Sequence, residues 1–124
     1  MAIFEVWDIV KVPFPYTDRP VRQRRPALVV AAGEIEAAHG LVWLVMITSA
    51  ENRGWPGDVG ISDLRAAGLS APSIVRPAKI ATVDARDAQR LGTLPRGDRE
   101  AVASSLRSIL RGALERRGGV GPSP

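Results

Sequence analysis

Apolar and polar residues alternate in the first stretch of the chain, and this pattern predicts a half-buried β-strand over residues 4–12. The short β-branched run PALVVAA predicts a second strand over residues 26–32. The most hydrophobic run, LVWLVMITS at residues 41–49, predicts a third strand that is central in the sheet and buried on both faces. Gly33 and Gly40 delimit the polar segment between the second and third strands, which we predict to be a turn.

Short apolar runs continue in the second half of the chain, separated by glycine, proline and charged residues. Residues 58–61 predict a short strand, and Ser62 is the predicted N-cap of a brief helix, DLRAAG, that closes at Gly68. The segment PSIVRPAKIATV at residues 72–83 predicts two short strands bent at Pro77, because proline interrupts the hydrogen-bond ladder of a sheet.

The last predicted element is a helix that follows a polar turn at residues 84–90. Apolar residues recur at helical spacing over residues 98–115, which predicts an amphipathic C-terminal α-helix. We therefore expect one α+β domain over residues 1–116, built from a small, strongly bent antiparallel β-sheet that is barrel-like and ends in this helix. The tail at residues 117–124 has no pattern with which to fold, and we expect it to be disordered.

Composition narrows the chemistry that this domain can perform. The chain has no cysteine, which removes disulfides, thiolate metal ligands and cysteine nucleophiles. His39 is the single histidine, so a zinc or iron site is disfavoured, and we expect no metal and no cofactor. Acidic residues interrupt the apolar run at the N-terminus, and the longest apolar run is too short to span a bilayer. We therefore expect a cytoplasmic protein without a membrane role.

The chain is basic, and its positive charge comes mainly from arginine. Lys and Arg total 17 against 13 Asp and Glu, a net charge of +4, and Lys11 and Lys79 are the two lysines. Guanidinium groups bind phosphate in a bidentate manner and stack on bases, so this balance suits an anionic partner. A GC-rich genome would produce the same arginine bias. The placement of the arginines is therefore more informative than their number.

Arginines and hydroxyls are placed together at the predicted strand ends. Arg24 and Arg25 enter the second strand, whereas Thr48 and Ser49 end the third, and Arg76 lies in the segment IVRPAK. A phosphodiester is the natural ligand for such a group. Cleavage of RNA can use the substrate's own 2′-OH as the nucleophile, so the protein need only orient it, move protons and stabilise the extra charge on the phosphorane. Nucleotide-binding loops, zinc-protease motifs and serine-hydrolase motifs are absent.

Each of these residues has a structural explanation as well. Arg25 could pair with a surface carboxylate, and threonine is common in strands without any catalytic role. Arg76 could be the buried partner of Asp84 or Asp58. Trp55, in the exposed segment AENRGWPGD, is a candidate for stacking on a base.

Five segments in order resemble the MazF/PemK family of toxins from bacterial toxin–antitoxin pairs: DIVKVPFPYTD, RRPALVV, VMITS, GLSAPSIVRPAKIATVD and LGTLP. The resemblance extends over about residues 6–114. It implies a compact SH3-like barrel and a homodimer that acts as a metal-free, ribosome-independent endoribonuclease on single-stranded RNA. It also implies a cognate antitoxin whose C-terminal segment covers the RNA groove.

The resemblance assigns roles to individual residues. The Arg of the family's R-P step is Arg25, expected to transfer protons and stabilise the phosphorane, and the Thr of its T-S step is Thr48, expected to hold the scissile phosphate. Arg25 should face Thr48 across a groove covered by the loop at residues 13–23. The residues expected to contact RNA are Tyr16, Thr17, Arg22, Gln23, Arg24, Ser49, Trp55 and Arg76.

The chain departs from the family pattern at several positions. Many members have Gly where this chain has Trp7, and some have an acid where this chain has Ala78. The first loop contains neither the His nor the Glu found in some members, so the general base and acid remain unassigned. The same fold also permits two other functions, a DNA-binding gyrase poison and an RNA-binding protein without cleavage.

Overall fold

The computed structural model describes residues 3–13, 23–52 and 54–115. Three predicted RNA contacts, Tyr16, Thr17 and Arg22, lie outside the described residues, as does the predicted disordered tail. The described part contains six strands and three helices in this order: β1 Asp8–Val12, β2 Arg25–Ala31, α1 Glu34–His39, β3 Leu41–Ser49, β4 Val59–Gly60, α2 Leu64–Ala67, β5 Ser73–Asp84, β6 Gln89–Thr93 and α3 Arg96–Glu115. Two short 3₁₀ turns cover Ala50–Asn52 and Ala85–Asp87.

The six strands form one antiparallel sheet in the order β4-β5-β3-β2-β1-β6. The sheet curls into a half-barrel with α3 at its C-terminal end, which confirms the predicted fold class. The very apolar β3 lies inside the sheet between β2 and β5, as predicted, but its burial on both faces is limited to residues 44–47, and Trp43 is exposed. Irregularities in the pairing of β1 with β6, β2 with β3 and β3 with β5 bend the strands, because a bulge increases local twist.

Pro77 lies within the largest of these irregularities. Val45 pairs with Ile80, but the next residue, Met46, pairs with Arg76, so residues 77–79 are left out of the ladder with β3. Proline has no N–H to donate and is tolerated at such a bulge. The two strands predicted for residues 72–83 are therefore one continuous strand, β5, with the bend at the predicted proline.

The hydrophobic core occupies both faces of the sheet. Alternate residues of the same strand serve different clusters: Ile9 of β1 packs with β4, α2 and α3, whereas Val10 packs with Phe4 on the other face. Leu28 and Val29 of β2 divide in the same way, and all four of these strand side chains are fully buried. Burial on both faces explains why β1 to β3 read as almost continuous apolar runs.

Several elements differ from the sequence predictions. Strand β6 begins at Gln89, within the segment predicted as a polar turn, because its backbone pairs with β1, and α3 begins at Arg96 rather than at residue 98. The first strand begins at Asp8 rather than at residue 4, and the segment after Gly33 is helix α1 instead of a turn. Tertiary contacts stabilise helix α1. The side chain of Glu36 is buried, and its carboxylate accepts hydrogen bonds from the backbone N–H groups of Ile3 and Phe4 at 2.9 Å each. These bonds tie the N-terminal segment to the domain.

The N-cap of α2 is Asp63 rather than Ser62. The Asp63 carboxylate accepts a hydrogen bond from the N–H of Ala66 at 3.2 Å. Ser62 instead donates through its backbone N–H and its hydroxyl to the buried carboxylate of Asp98, at 2.8 and 3.0 Å. Ser62 therefore connects the start of α2 to the first turn of α3.

Trp7 has an unusual backbone conformation. Its φ is +83°, and it is the one non-glycine residue with positive φ in the described ranges. Its N–H donates to the carbonyl of Val29 at 2.9 Å, and its carbonyl accepts from the N–H of Leu94 at 2.8 Å. These bonds hold a side-chain-bearing residue in a backbone conformation where glycine is favoured.

We predict that replacing Trp7 with glycine destabilises the protein less than replacing it with alanine. Both changes remove the indole and its packing, but only glycine relieves the left-handed strain, by about 1 kcal/mol. Chemical denaturation of the two variants measures the difference in the free energy of unfolding. An alanine variant at least as stable as the glycine variant would show that the strain is not significant.

We predict that Gly68→Ala lowers the free energy of unfolding by about 2–4 kcal/mol, the sum of left-handed strain and overpacking. Gly68 ends α2 at φ +74°, and an added Cβ would collide with the backbone carbonyl of Leu91 in β6. Gly112→Ala is the matched control, since Gly112 is exposed in α3 with no atom near its Cβ position. The control should be more stable than the wild type by about 0.5–1 kcal/mol. Equal effects at the two positions would contradict the proposed packing of α2 on β6.

Candidate functional site

An open cavity of about 270 Å³ lies where β2 begins, β3 ends and β5 begins. The strand order brings these three ends together, because β3 pairs antiparallel with both β2 and β5. One wall consists of Arg25 and Pro26 with the end of β3, and the opposite wall is the segment at residues 69–73. We call this cavity the strand-end pocket.

The strand-end pocket contains both predicted catalytic residues. Ala27 pairs with Met46, and the same register continued by two residues places Arg25 opposite Thr48. Both residues are half-buried and line the pocket. Arg25 is the one charged residue among the described residues that line it. The arrangement therefore offers a guanidinium and a hydroxyl to one bound group.

Other predicted contacts surround these two residues. Ser49 lines the pocket, and its hydroxyl accepts a hydrogen bond from the N–H of Glu51 at 3.2 Å. Gln23 accepts a hydrogen bond from Arg25 Nη2 at 3.1 Å, which helps to orient the guanidinium. Arg24 does not line the pocket, because its guanidinium donates to the carbonyls of Lys11 and Asp87.

Arg76 lies in a buried ion pair. Its guanidinium donates to both carboxylate oxygens of Asp58, at 3.1 and 2.8 Å, and both side chains are less than a tenth exposed. Its Nη2 also donates to the backbone carbonyl of Asn52 at 2.5 Å. This resolves the alternative left open by the sequence in favour of Asp58. Arg76 is not among the residues that line the strand-end pocket, so the structure does not bring it together with Arg25 and Thr48 there.

Trp55 covers this ion pair from outside. The Arg76 guanidinium carbon lies 4.3 Å from the centroid of the Trp55 ring, within the range of a cation–π interaction. The backbone N–H of Trp55 also donates to Asp58 Oδ2, at 3.3 Å. The side chain remains 44% exposed, and Lys79 Nζ lies 6.0 Å from the centroid of its ring.

The environment of Asp58 lowers the pKa of its carboxyl group. Hydrogen bonds from the Arg76 guanidinium are the main cause, and they outweigh burial, which acts in the opposite direction. A carboxyl group with a lowered pKa contributes stability above its unfolded-state pKa of about 4, and that contribution is lost as the pH falls through the lower folded-state value.

Sequence reasoning missed Asn52 and the second wall of the pocket. Asn52 lines the pocket, and its Nδ2 donates to Thr48 Oγ1 at 3.1 Å. The composition of the segment NRGWPGD indicates an exposed loop. It gives no sign that Asn52, four residues after Thr48, contacts the Thr48 hydroxyl. The wall at residues 69–73 is about twenty residues from Thr48 in sequence, so only the pairing of β3 with β5 identifies it.

Two further observations concern other kinds of site. Within residues 3–13, 23–52 and 54–115, no group of three or more His, Asp or Glu side chains is arranged to hold a metal ion. Among the helices of this described part, none combines the length and apolar character needed to cross a membrane.

Comparison with solved structures identifies the class of protein that this fold and pocket define. A MazE–MazF complex from Deinococcus radiodurans is 25% identical and has a TM-score of 0.67, with 87% of this chain and 95% of that chain covered. Toxin MazF-mt6 of Mycobacterium tuberculosis is 20% identical, with a TM-score of 0.62 and coverages of 82% and 94%. A mycobacterial endoribonuclease in complex with its cognate antitoxin is 17% identical, with a TM-score of 0.66 and coverages of 85% and 92%. The fold is that of the MazF toxins.

Comparison with protein families gives the assignment for the chain itself. The family described as PemK-like, MazF-like toxin of type II toxin–antitoxin system matches residues 5–110, and the chain belongs to this family. A search among curated protein sequences finds no match. The family predicted from five short segments of the sequence is therefore confirmed.

We predict that Asp58→Asn lowers the free energy of unfolding at pH 7 by about 3–5 kcal/mol, because the buried Arg76 loses its counter-ion. Below about pH 4, the variant should lose less stability than the wild type does, because the amide at this position does not titrate. Denaturation curves between pH 3 and pH 7 measure both effects.

Glu100→Gln is the matched control for this experiment. Glu100 also pairs with an arginine, Arg107, at 2.7 Å, but its side chain is 80% exposed. This change should cost less than about 1 kcal/mol. Similar losses in the two variants would contradict a special role for the buried pair.

Proposed function

We propose that the protein is the toxin of a type II toxin–antitoxin pair and that it cleaves single-stranded RNA, at specific sequences and without a metal ion. Membership in the MazF-like family supports this proposal, because endoribonuclease activity is a general property of that family. The observation that carries it is the juxtaposition of Arg25 and Thr48 in the strand-end pocket.

The reaction is an attack of the ribose 2′-oxygen on the adjacent phosphorus. The 2′-O–P bond forms and the P–O5′ bond breaks, which leaves a 2′,3′-cyclic phosphate, or the 3′-phosphate after hydrolysis, and a 5′-OH. The proton lost by the 2′-OH is balanced by the proton gained by the leaving 5′-oxygen. The cleavage step requires no external nucleophile or redox partner, and hydrolysis of the cyclic phosphate to the 3′-phosphate consumes one water.

Arg25 and Thr48 have complementary roles in this mechanism. The Arg25 guanidinium stabilises the extra negative charge of the phosphorane and is the candidate for proton transfer. The Thr48 hydroxyl donates a hydrogen bond to a non-bridging oxygen and holds the phosphate in line. The hydrogen bond to Gln23 fixes the direction of the guanidinium before RNA binds.

RNA binding extends beyond the strand-end pocket. Ser49 is placed to contact the backbone next to Thr48, and the exposed face of Trp55 offers a surface for stacking on a base. We retain Tyr16, Thr17 and Arg22 as proposed contacts of the first loop. Arg76 and Arg24, whose guanidinium groups are used within the protein, are proposed to support the site rather than to touch RNA.

Two protein partners belong to the proposal. The first is a cognate antitoxin whose C-terminal segment covers the RNA groove, and the MazE–MazF and mycobacterial complexes support such a partner. The second is another copy of this chain. An apolar surface formed by Trp43, Ile80 and Leu110, each about two-fifths exposed, supports a homodimer. We place this assembly in the cytoplasm.

We predict that the purified protein cleaves single-stranded RNA in the presence of EDTA and that Arg25→Ala reduces the rate by at least about a hundredfold. That loss is typical for removal of one group that stabilises a developing negative charge. Mapping of RNA ends after brief incubation measures the activity, the cleavage sequence and the end chemistry together. The variant's thermal transition should stay close to that of the wild type, because Arg25 is only half-buried.

Arg86→Ala is the matched control for charge. Arg86 follows the far end of β5 from the pocket, and its side chain is 89% exposed. The Arg86→Ala variant should cleave RNA at the wild-type rate. If the wild-type protein leaves RNA of a broad set of sequences intact, the proposal is wrong. Growth arrest with trapped gyrase–DNA complexes would favour a gyrase poison instead. Specific RNA binding without cleavage would indicate a binding module.

A further inference from the structure

We infer that Asn52 is a positioning residue for the reaction, because it orients the Thr48 hydroxyl towards the scissile phosphate. This inference rests on the proposed function and adds to it a residue that acts through another. Asn52 ends the 3₁₀ turn that follows β3 and lines the strand-end pocket beside Thr48.

The direction of the hydrogen bond determines what Thr48 can do. Asn52 Nδ2 donates to Thr48 Oγ1 at 3.1 Å. A threonine hydroxyl has one hydrogen to donate and two lone pairs to accept with. Since this contact occupies a lone pair, the single O–H remains available for a phosphate oxygen. An acceptor in the same place would instead consume the proton that the substrate needs.

The backbone of Asn52 is anchored to the interior of the protein. Its carbonyl accepts a hydrogen bond from Arg76 Nη2, and the same guanidinium is held by both carboxylate oxygens of Asp58. At the start of the turn, the N–H of Ala50 donates to the carbonyl of Pro72 at 3.0 Å. The turn is therefore attached at both ends, and Asn52 can hold Thr48 without first being ordered by substrate.

A continuous series of contacts thus links the buried ion pair to the strand-end pocket. Asp58 holds Arg76, Arg76 holds the main chain of Asn52, and the side chain of Asn52 holds Thr48. This series explains how Arg76 can matter for cleavage although it does not line the pocket. It also assigns a chemical role to an exposed loop residue that has no titratable group.

The test compares single-turnover and steady-state cleavage of one RNA by the wild type, Asn52→Ala, Asn52→Leu, Thr48→Val and the double variant Asn52→Ala/Thr48→Val. We expect each Asn52 variant to lower kcat about tenfold, the effect of losing one orienting hydrogen bond, with KM changed less than about twofold. The leucine variant keeps the branched shape of the side chain at Cγ without its polar atoms, so an equal loss in both variants isolates the hydrogen bond.

The double variant separates positioning from other roles. If Asn52 acts through Thr48, the double variant should cleave at the rate of Thr48→Val alone. Gln89→Ala, which truncates an exposed amide on the edge strand β6, outside the residues that line the strand-end pocket, is the matched control and should retain wild-type kinetics. Thermal transitions of all variants identify losses that come from unfolding.

The outcomes distinguish this inference from the proposed function. Wild-type cleavage with unchanged kcat in both Asn52 variants would overturn the inference and leave the proposed function in place. Multiplicative losses in the double variant would overturn it as well, as would an effect confined to KM, which indicates direct RNA binding by Asn52. A wild-type protein that cleaves no RNA would overturn both.

Discussion

The antiparallel register of β2, β3 and β5 is the constraint on which the rest of the structure depends. It brings together the start of β2, the end of β3 and the start of β5, although more than twenty residues separate each of these ends from the next in sequence. Because the middle of β2 and residues 44–47 of β3 are buried on both faces, a slip by one residue would exchange the side chains of the two core clusters. The hydrophobic core therefore fixes the register, and the register in turn places Arg25 opposite Thr48.

The buried Arg76–Asp58 pair connects this scaffold to the loop that follows β3. Arg76 precedes the bulge in β5, where three residues leave the ladder with β3. Asp58 lies just before β4, so the pair joins β5 to the chain that leads into β4, and Trp55 covers the pair from solvent. A buried ion pair contributes little net stability, but loss of either partner is costly. Its main effect here is to define one conformation of the loop that carries Asn52.

Much of the fold could be predicted from the sequence, because each prediction rested on a strong local pattern. Strands β2 and β3 and helix α3 follow from apolar periodicity, and the bend of β5 follows from Pro77. The failures occurred where long-range contacts overrode local signals. The polar segment after Gly33 is helical, with the buried carboxylate of Glu36 binding the N-terminal backbone. Trp7 adopts positive φ because two distant backbone groups, of Val29 and Leu94, and the Thr93 hydroxyl bind its main chain. Neither contact leaves a trace in the local sequence.

For the site, the sequence by itself determined the residue types, the family and the two residues expected to perform catalysis. Those follow from short contiguous segments, RRPALVV and VMITS, in which local order is enough. Only the tertiary structure decided which partner Arg76 takes, that Arg24 points away from the pocket, and that Asn52 contacts Thr48. The physical reason is that hydrogen bonds of buried and half-buried groups depend on which strand ends meet, and that is set by packing of the whole core rather than by any segment alone.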